Sequence, residues 1–122
     1  MIVLDEQLSD SRIITSIEKW YKGAVLIINE LRPKTLIKDD NISQLLLTVN
    51  QPTFVTINYK DFWRVISAHK KYSVFCFYLS SEYTLEVSET LRELFQLEEF
   101  RTKAARMGKV ISVRENIEWY EV

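Results

Sequence analysis

The residues best placed to do chemistry in this chain are acids at the ends of apolar runs. Asp5 closes "MIVLD", Asp39 and Asp40 stand together before "NISQLL", and Asn58 and Asp61 follow "TFVTI". Carboxylates that converge in a crevice repel one another unless a cation neutralises them. Oxygen-only ligands suit Mg²⁺ or Mn²⁺, and such an ion promotes hydrolysis at phosphorus. Each residue also has a plainer reading. Asp5 with Glu6 would open a solvated acidic loop, and Asn58 would be a turn residue. Asp39, Asp40 and Asp61 would be helix caps, a role that contributes about 1 kcal/mol.

Other chemistries find little support. With one histidine, His69, and one cysteine, Cys76, the usual zinc sites and nucleophile–histidine dyads are hard to assemble. His69 sits beside Lys70 and Lys71 and reads as a surface helix end, its use as a proton carrier staying open. Cys76 lies in "YSVFCFYL" and reads as an inert buried thiol in a reducing cytoplasm. Two glycines in the whole chain leave no glycine-rich phosphate loop.

The acids matter only if the fold gathers them. "MIVL" reads as a strand buried on both faces, followed by a helix from about Ser9 to Lys22 with Gly23 as its left-handed stop. "AVLIIN" (24–29) is the second strand. A loop held by Pro33 leads to a helix capped by Asp39 or Asp40, with Ile42, Leu45, Leu46 and Val49 as its apolar stripe. "TFVTI" is the third strand. Phe62, Val65, Ile66 and His69 then recur at helical spacing, and "SVFCFYL" is a central fourth strand. A helix carrying Leu91, Leu94 and Phe95 and another from Glu98 to Met107, closed by Gly108, precede a terminal hairpin around Arg114-Glu115-Asn116. Strands alternating with helices predict an α/β three-layer sandwich with a mostly parallel central sheet. In such a sheet sites form outside the strand C-terminal ends, which places Asp5, Asp39 or Asp40, Asn58 and Asp61 on one edge.

At 122 residues the chain is expected to be a single domain, 1–122, and 47% hydrophobic residues suffice for a core. The start has an acid at position 5 and no basic region before an apolar one, so no secretory signal is expected. No apolar run is long enough to span a bilayer. A formal net charge of −1 gives no global field to attract nucleic acid. The segment "RTKAARMGK" is locally basic. Arg101, Lys103 and Arg106 there are either a solvated helix face or a patch that contacts RNA phosphates. Most aromatics lie at core spacings, while Tyr59 and Trp63 flank the crevice.

Three short stretches in order carry a resemblance. An N-terminal strand ending in "LDEQLS", a helix start "KDDNI" and a third strand reading "FVTINYKDF" together resemble the PIN-like domain family. Its short stand-alone branch reads Leu-Asp-x-x-Leu, Asp-x-x-Ile and Thr-x-Asp-x-Asp-Phe. The resemblance covers roughly residues 1 to 80; beyond that only the element order agrees. It implies a PIN-like fold and an Mg²⁺- or Mn²⁺-dependent ribonuclease, of the kind that serves as toxin to a small antitoxin protein. On this reading Asp5, Asp39 and Asp61 are the catalytic acids. Asp40 and Asn58 join them as metal ligands, and Thr56 supports the end of the third strand. The implied partners are RNA and a small antitoxin-like protein; a second copy of the chain is a separate expected partner, and no membrane is expected. The sequence departs from the pattern at Asn58, which stands where the family carries an acid, and two residues rather than one separate it from Asp61. The departure keeps an oxygen ligand and removes a negative charge, so the competing reading is a PIN-like module that acts through protein binding.

Overall fold

A computed structural model of the chain describes residues 1–31 and 41–122. Five strands run parallel: β1 (Ile2–Leu4), β2 (Val25–Ile27), β3 (Thr53–Thr56), β4 (Ser73–Phe77) and β5 (Lys109–Val113). A sixth, β6 (Ile117–Glu121), returns antiparallel beside β5, with Val113 opposite Ile117. The strand order is β2-β1-β3-β4-β5-β6. From β1 the chain steps outward to β2 and then back across β1 to β3. The C-terminal ends of β1 and β3 therefore bound the point where the winding reverses, the place where open α/β sheets form crevices.

Alternation along the strands divides the core into two faces. Ile2, Leu4, Val55, Phe75, Phe77, Ile111 and Val113 point to one face. There they meet α1 (Ser11–Glu18) through Ile13 and Ile17, and α4 (Val87–Gln96) through Leu91 and Leu94. Val3, Phe54, Val74, Cys76 and Val110 point to the other, against α2 (Ile42–Leu46) and α3 (Tyr59–Phe62). The result is a mostly parallel sheet between two helical layers, the three-layer α/β arrangement expected from the alternation. Deleting a side chain such as Leu91 from this core would cost about 2–5 kcal/mol. Among the described residues no helix is long and apolar enough to cross a membrane.

Several helices differ from their sequence-based extents. The first begins at Ser11 because the Asp10 carboxylate, not Ser9, accepts from the Arg12 N–H at 2.9 Å. Gly23 is not left-handed; a Cβ there would lie 2.8 Å from the Tyr21 ring, so close approach explains it. The helix expected through Phe62, Val65, Ile66 and His69 stops after one turn. Trp63 turns extended and Arg64 enters the left-handed region at φ 61°. Tyr120 then holds the carbonyl of Ile66 from β6. Of the helix expected over Glu98–Met107 only α5 (Lys103–Arg106) forms, capped by the Thr102 hydroxyl. Ahead of it Phe100 turns into the core, and the Arg106 guanidinium takes the carbonyls of Phe100 and Arg101 in place of helical N–H groups. Gly108 is left-handed as expected, at φ 88°.

Candidate functional site

Asp5 follows β1 without a spacer, and its own N–H still belongs to the sheet, donating to the Val55 carbonyl at 2.9 Å. That continuity pins the side chain at the reversal point, only 5% exposed. One carboxylate oxygen accepts from the Glu6 N–H at 2.8 Å, which also caps the short turn Glu6–Leu8. The other accepts from the Thr56 hydroxyl at 2.6 Å, across from the end of β3. Thr56 is fully buried, and its oxygen in turn accepts from the Asn58 N–H at 2.9 Å. The Asn58 side-chain amide donates to an Asp61 carboxylate oxygen at 2.9 Å. Asp5, Thr56, Asn58 and Asp61 thus form one continuous hydrogen-bonded chain. Asp5 is buried at one end and Asp61 exposed at the other.

Burial pushes the Asp5 carboxyl above its ordinary range, and the hydrogen bonds from Thr56 and Glu6 offset only part of that. No lysine or arginine compensates it: among the described residues the one ion pair joins Arg12 to Asp10. A buried carboxylate of this kind is stabilised in its charged form by any cation brought beside it. The oxygen donors of Asp5, Asn58 and Asp61 fit a hard divalent ion in chemical type. Among the described residues no three of Asp, Glu, His and Cys stand close enough to hold one. Asp39 and Asp40 lie outside the described residues. Ser43, in the first turn of α2, lines the same depression as Lys60 and Asp61, so the start of that helix faces Asp61.

Next to this corner, along the same edge, a cleft of about 640 Å³ opens between α3 and the ends of β4 and β5. Tyr59 and Trp63 line it, as their place beside the crevice suggested. Tyr78 and Arg114 line it too. The Arg114 guanidinium carbon lies 4.1 Å from the centre of the Tyr78 ring and 5.5 Å from that of Tyr59. The Tyr59 hydroxyl and the Ser112 hydroxyl are 2.7 Å apart, fixing α3 against β5. Tyr78, Ser112 and Arg114 were not picked out from sequence. The rule that singled out Asp5 would have found them, since each stands at or just past the C-terminal end of a parallel strand.

The chain matches no family model, no curated protein and no solved structure.

The remaining sequence candidates lie elsewhere. α5, with Lys103 and Arg106, leads directly into β5, so Arg101, Lys103 and Arg106 sit at the N-terminal edge of the sheet, across from Asp5. His69 precedes β4 on that same edge, stacked on Tyr72 with ring centres 5.6 Å apart. Cys76 is buried in β4 and its thiol is pushed up to about 12, which makes it inert as expected.

Proposed function

We propose that this chain is a PIN-like ribonuclease dependent on Mg²⁺ or Mn²⁺. Asp5, Asp39 and Asp61 serve as its acidic ligands, with Asp40 beside them. Asn58 supplies a neutral oxygen. One observation carries the reading: a buried carboxylate with no cationic partner among the described residues sits where the winding reverses and is tied by hydrogen bonds to a second, exposed carboxylate. A divalent cation at such a site supplies the Lewis acidity that phosphodiester hydrolysis needs. The chain's own residues set the geometry. Thr56 holds the orientation of Asp5, and Asn58 holds Asp61 through its amide. Tyr59, Tyr78 and Arg114 offer ring faces and a guanidinium to the bases and phosphates of a single strand. A small antitoxin-like protein as partner belongs to the same reading.

The test is cleavage of single-stranded RNA in Mn²⁺ by the protein and by its Asp5→Asn variant. Cleavage that falls about a hundredfold or more in the variant is expected. Absence of cleavage, or equal cleavage by both, rejects the proposal.

A non-catalytic PIN-like module is favoured by a different observation. Asn58 brings a neutral amide where the family pattern carries an acid, and that amide already engages one oxygen of Asp61. Calorimetry with Mn²⁺ separates the two readings. Binding in the micromolar range that Asp61→Ala abolishes would argue against the module.

A further inference from the structure

At the N-terminal edge of the sheet, remote from Asp5, a second cleft of about 510 Å³ opens where the ends of α1 and α4 approach α5. Among the described residues four of its lining side chains are cationic, Lys19, Arg92, Arg101 and Arg106, and none is acidic. Trp20, Tyr21 and Phe95 form its apolar wall. Lys19, Arg92 and Arg101 are exposed, but Arg106 is only 7% exposed.

Arg106 is built in firmly. Its Nη1 donates to the carbonyls of Phe100 at 2.9 Å and Arg101 at 3.3 Å, and its guanidinium carbon lies 4.1 Å from the centre of the Phe95 ring. These contacts position the group without neutralising it. Among the described residues its Nε is buried with no hydrogen-bond partner and no carboxylate pairs with it. A buried cation without a counter-charge is costly. Burial accordingly pulls the Arg106 guanidinium below its ordinary range. The Met1 amine, held by the Tyr21 hydroxyl at 2.6 Å, is lowered too, by burial and by the charges of Lys103 and Arg106. A compact anion of high charge would relieve all of these terms together. Arginine forks suit the oxygens of a phosphate, which accept several charge-assisted bonds at once.

We propose that this cleft binds the phosphomonoester group of a phosphorylated ligand, with Arg106 as the buried anchor and Lys19, Arg92 and Arg101 closing on the anion from the rim. The site stands independently of the ribonuclease reading, because it lies on the opposite edge of the sheet. Two sources carry this chemistry, a small phosphorylated molecule and the terminal phosphate of a nucleic acid strand.

Isothermal titration calorimetry on the whole chain without added metal tests it. The probes are a nucleoside 5′-monophosphate and a short oligonucleotide with either a 5′-phosphate or a 5′-hydroxyl. Saturable binding of the monophosphate, weakened about tenfold or more by Arg92→Gln and by Arg101→Gln, is expected, since each removes a charge-assisted contact. Lys60→Gln, which removes the same charge at the other edge, should leave it unchanged. Both arginine variants alter exposed side chains and leave the Arg106 anchor in place. Equal affinity for the monophosphate and the 5′-phosphorylated strand assigns a small ligand. Binding of the phosphorylated strand alone assigns a strand end. The proposal is overturned if the 5′-hydroxyl strand binds as well as the phosphorylated one. It is equally overturned if the arginine variants bind like the parent, or if no probe gives saturable heat at about 10 mM, where even a site of about millimolar affinity would be filled.

Discussion

Asp5 and Arg106, the buried charges at the two edges of the sheet, are kept in different company. Asp5 is met by two hydrogen-bond donors, the Glu6 N–H and the Thr56 hydroxyl. Arg106 is met by two carbonyls and a phenyl face, with Nε left over. The alternating architecture gives a reason for this sorting. Helix N-termini, with their partial positive charge, lie at the C-terminal edge of parallel strands, and helix C-termini, partially negative, lie at the other. Acids are favoured where the helices begin and cations where they end. Lys19, the C-cap residue of α1, follows that bias, whereas Arg92 stands ahead of the last turn of α4. The dipole contributes only about 0.3–1 kcal/mol per exposed group. It biases which charge each edge collects, and specific side chains then decide what the edge can bind.

The contrast can be broken at either edge. The largest effect is expected for Arg106→Ala, which removes the packing over Phe95 and leaves two carbonyls without their donor. A loss of about 2–4 kcal/mol in denaturant unfolding is expected. At the acidic edge Thr56→Val keeps the shape but strips Asp5 of a donor and the Asn58 N–H of its acceptor. A loss of about 1–3 kcal/mol near neutral pH follows, shrinking in acid as Asp5 is protonated. Asp5→Asn should do the reverse, raising metal-free stability at pH 7 by up to about 1 kcal/mol by removing a buried charge.

The sign of the pH effect follows from the direction of the Asp5 shift. The native state holds that proton to higher pH than the unfolded chain, whose carboxyl titrates near 3.8. Stability therefore falls as pH rises from that value through the raised native value, then levels off. Thermal melts of Asp5→Asn should lack that fall. Added Mn²⁺ should raise the melting temperature of the parent protein and not of the variant. The smallest effect is reserved for Asn58→Ala. It cuts the link to the exposed Asp61 and is expected to weaken Mn²⁺ binding in calorimetry more than it changes stability.

The layer order and the acidic corner were legible because they rest on coarse periodicity. Apolar runs such as "MIVL" and "SVFCFYL" must be buried on both faces, and an acid at such a run's end must fall on the strand's C-terminal edge. Asp5, Asn58 and Asp61 were reachable from their place after strand ends, whereas Thr56 came only with the family resemblance. What escaped depends on side chains that compete with backbone hydrogen bonding. Nothing in "EEFRTKAARMG" signals that Arg106 will fold back onto the carbonyls of Phe100 and Arg101 and so prevent a longer helix. The left-handed turn at Arg64 is equally silent, since Phe62, Val65, Ile66 and His69 keep a helical spacing that Trp63 and Arg64 then abandon. The basic cleft was half visible for a similar reason. Arg101 and Arg106 were noticed as a charge run, whereas Lys19 and Arg92 join them only through the packing of α1 and α4.

The antiparallel strand β6 has a consequence for how the molecule behaves in a crowd. A parallel sheet ending at β5 would present a row of unpaired backbone groups from a hydrophobic strand, an invitation to pair with another chain. β6 covers that row and becomes the new border, where Glu118 and Glu121 stand exposed on either side of Trp119. Two copies meeting along this border would bring like charges together. The last strand thus ends the sheet and also discourages its continuation into a neighbour.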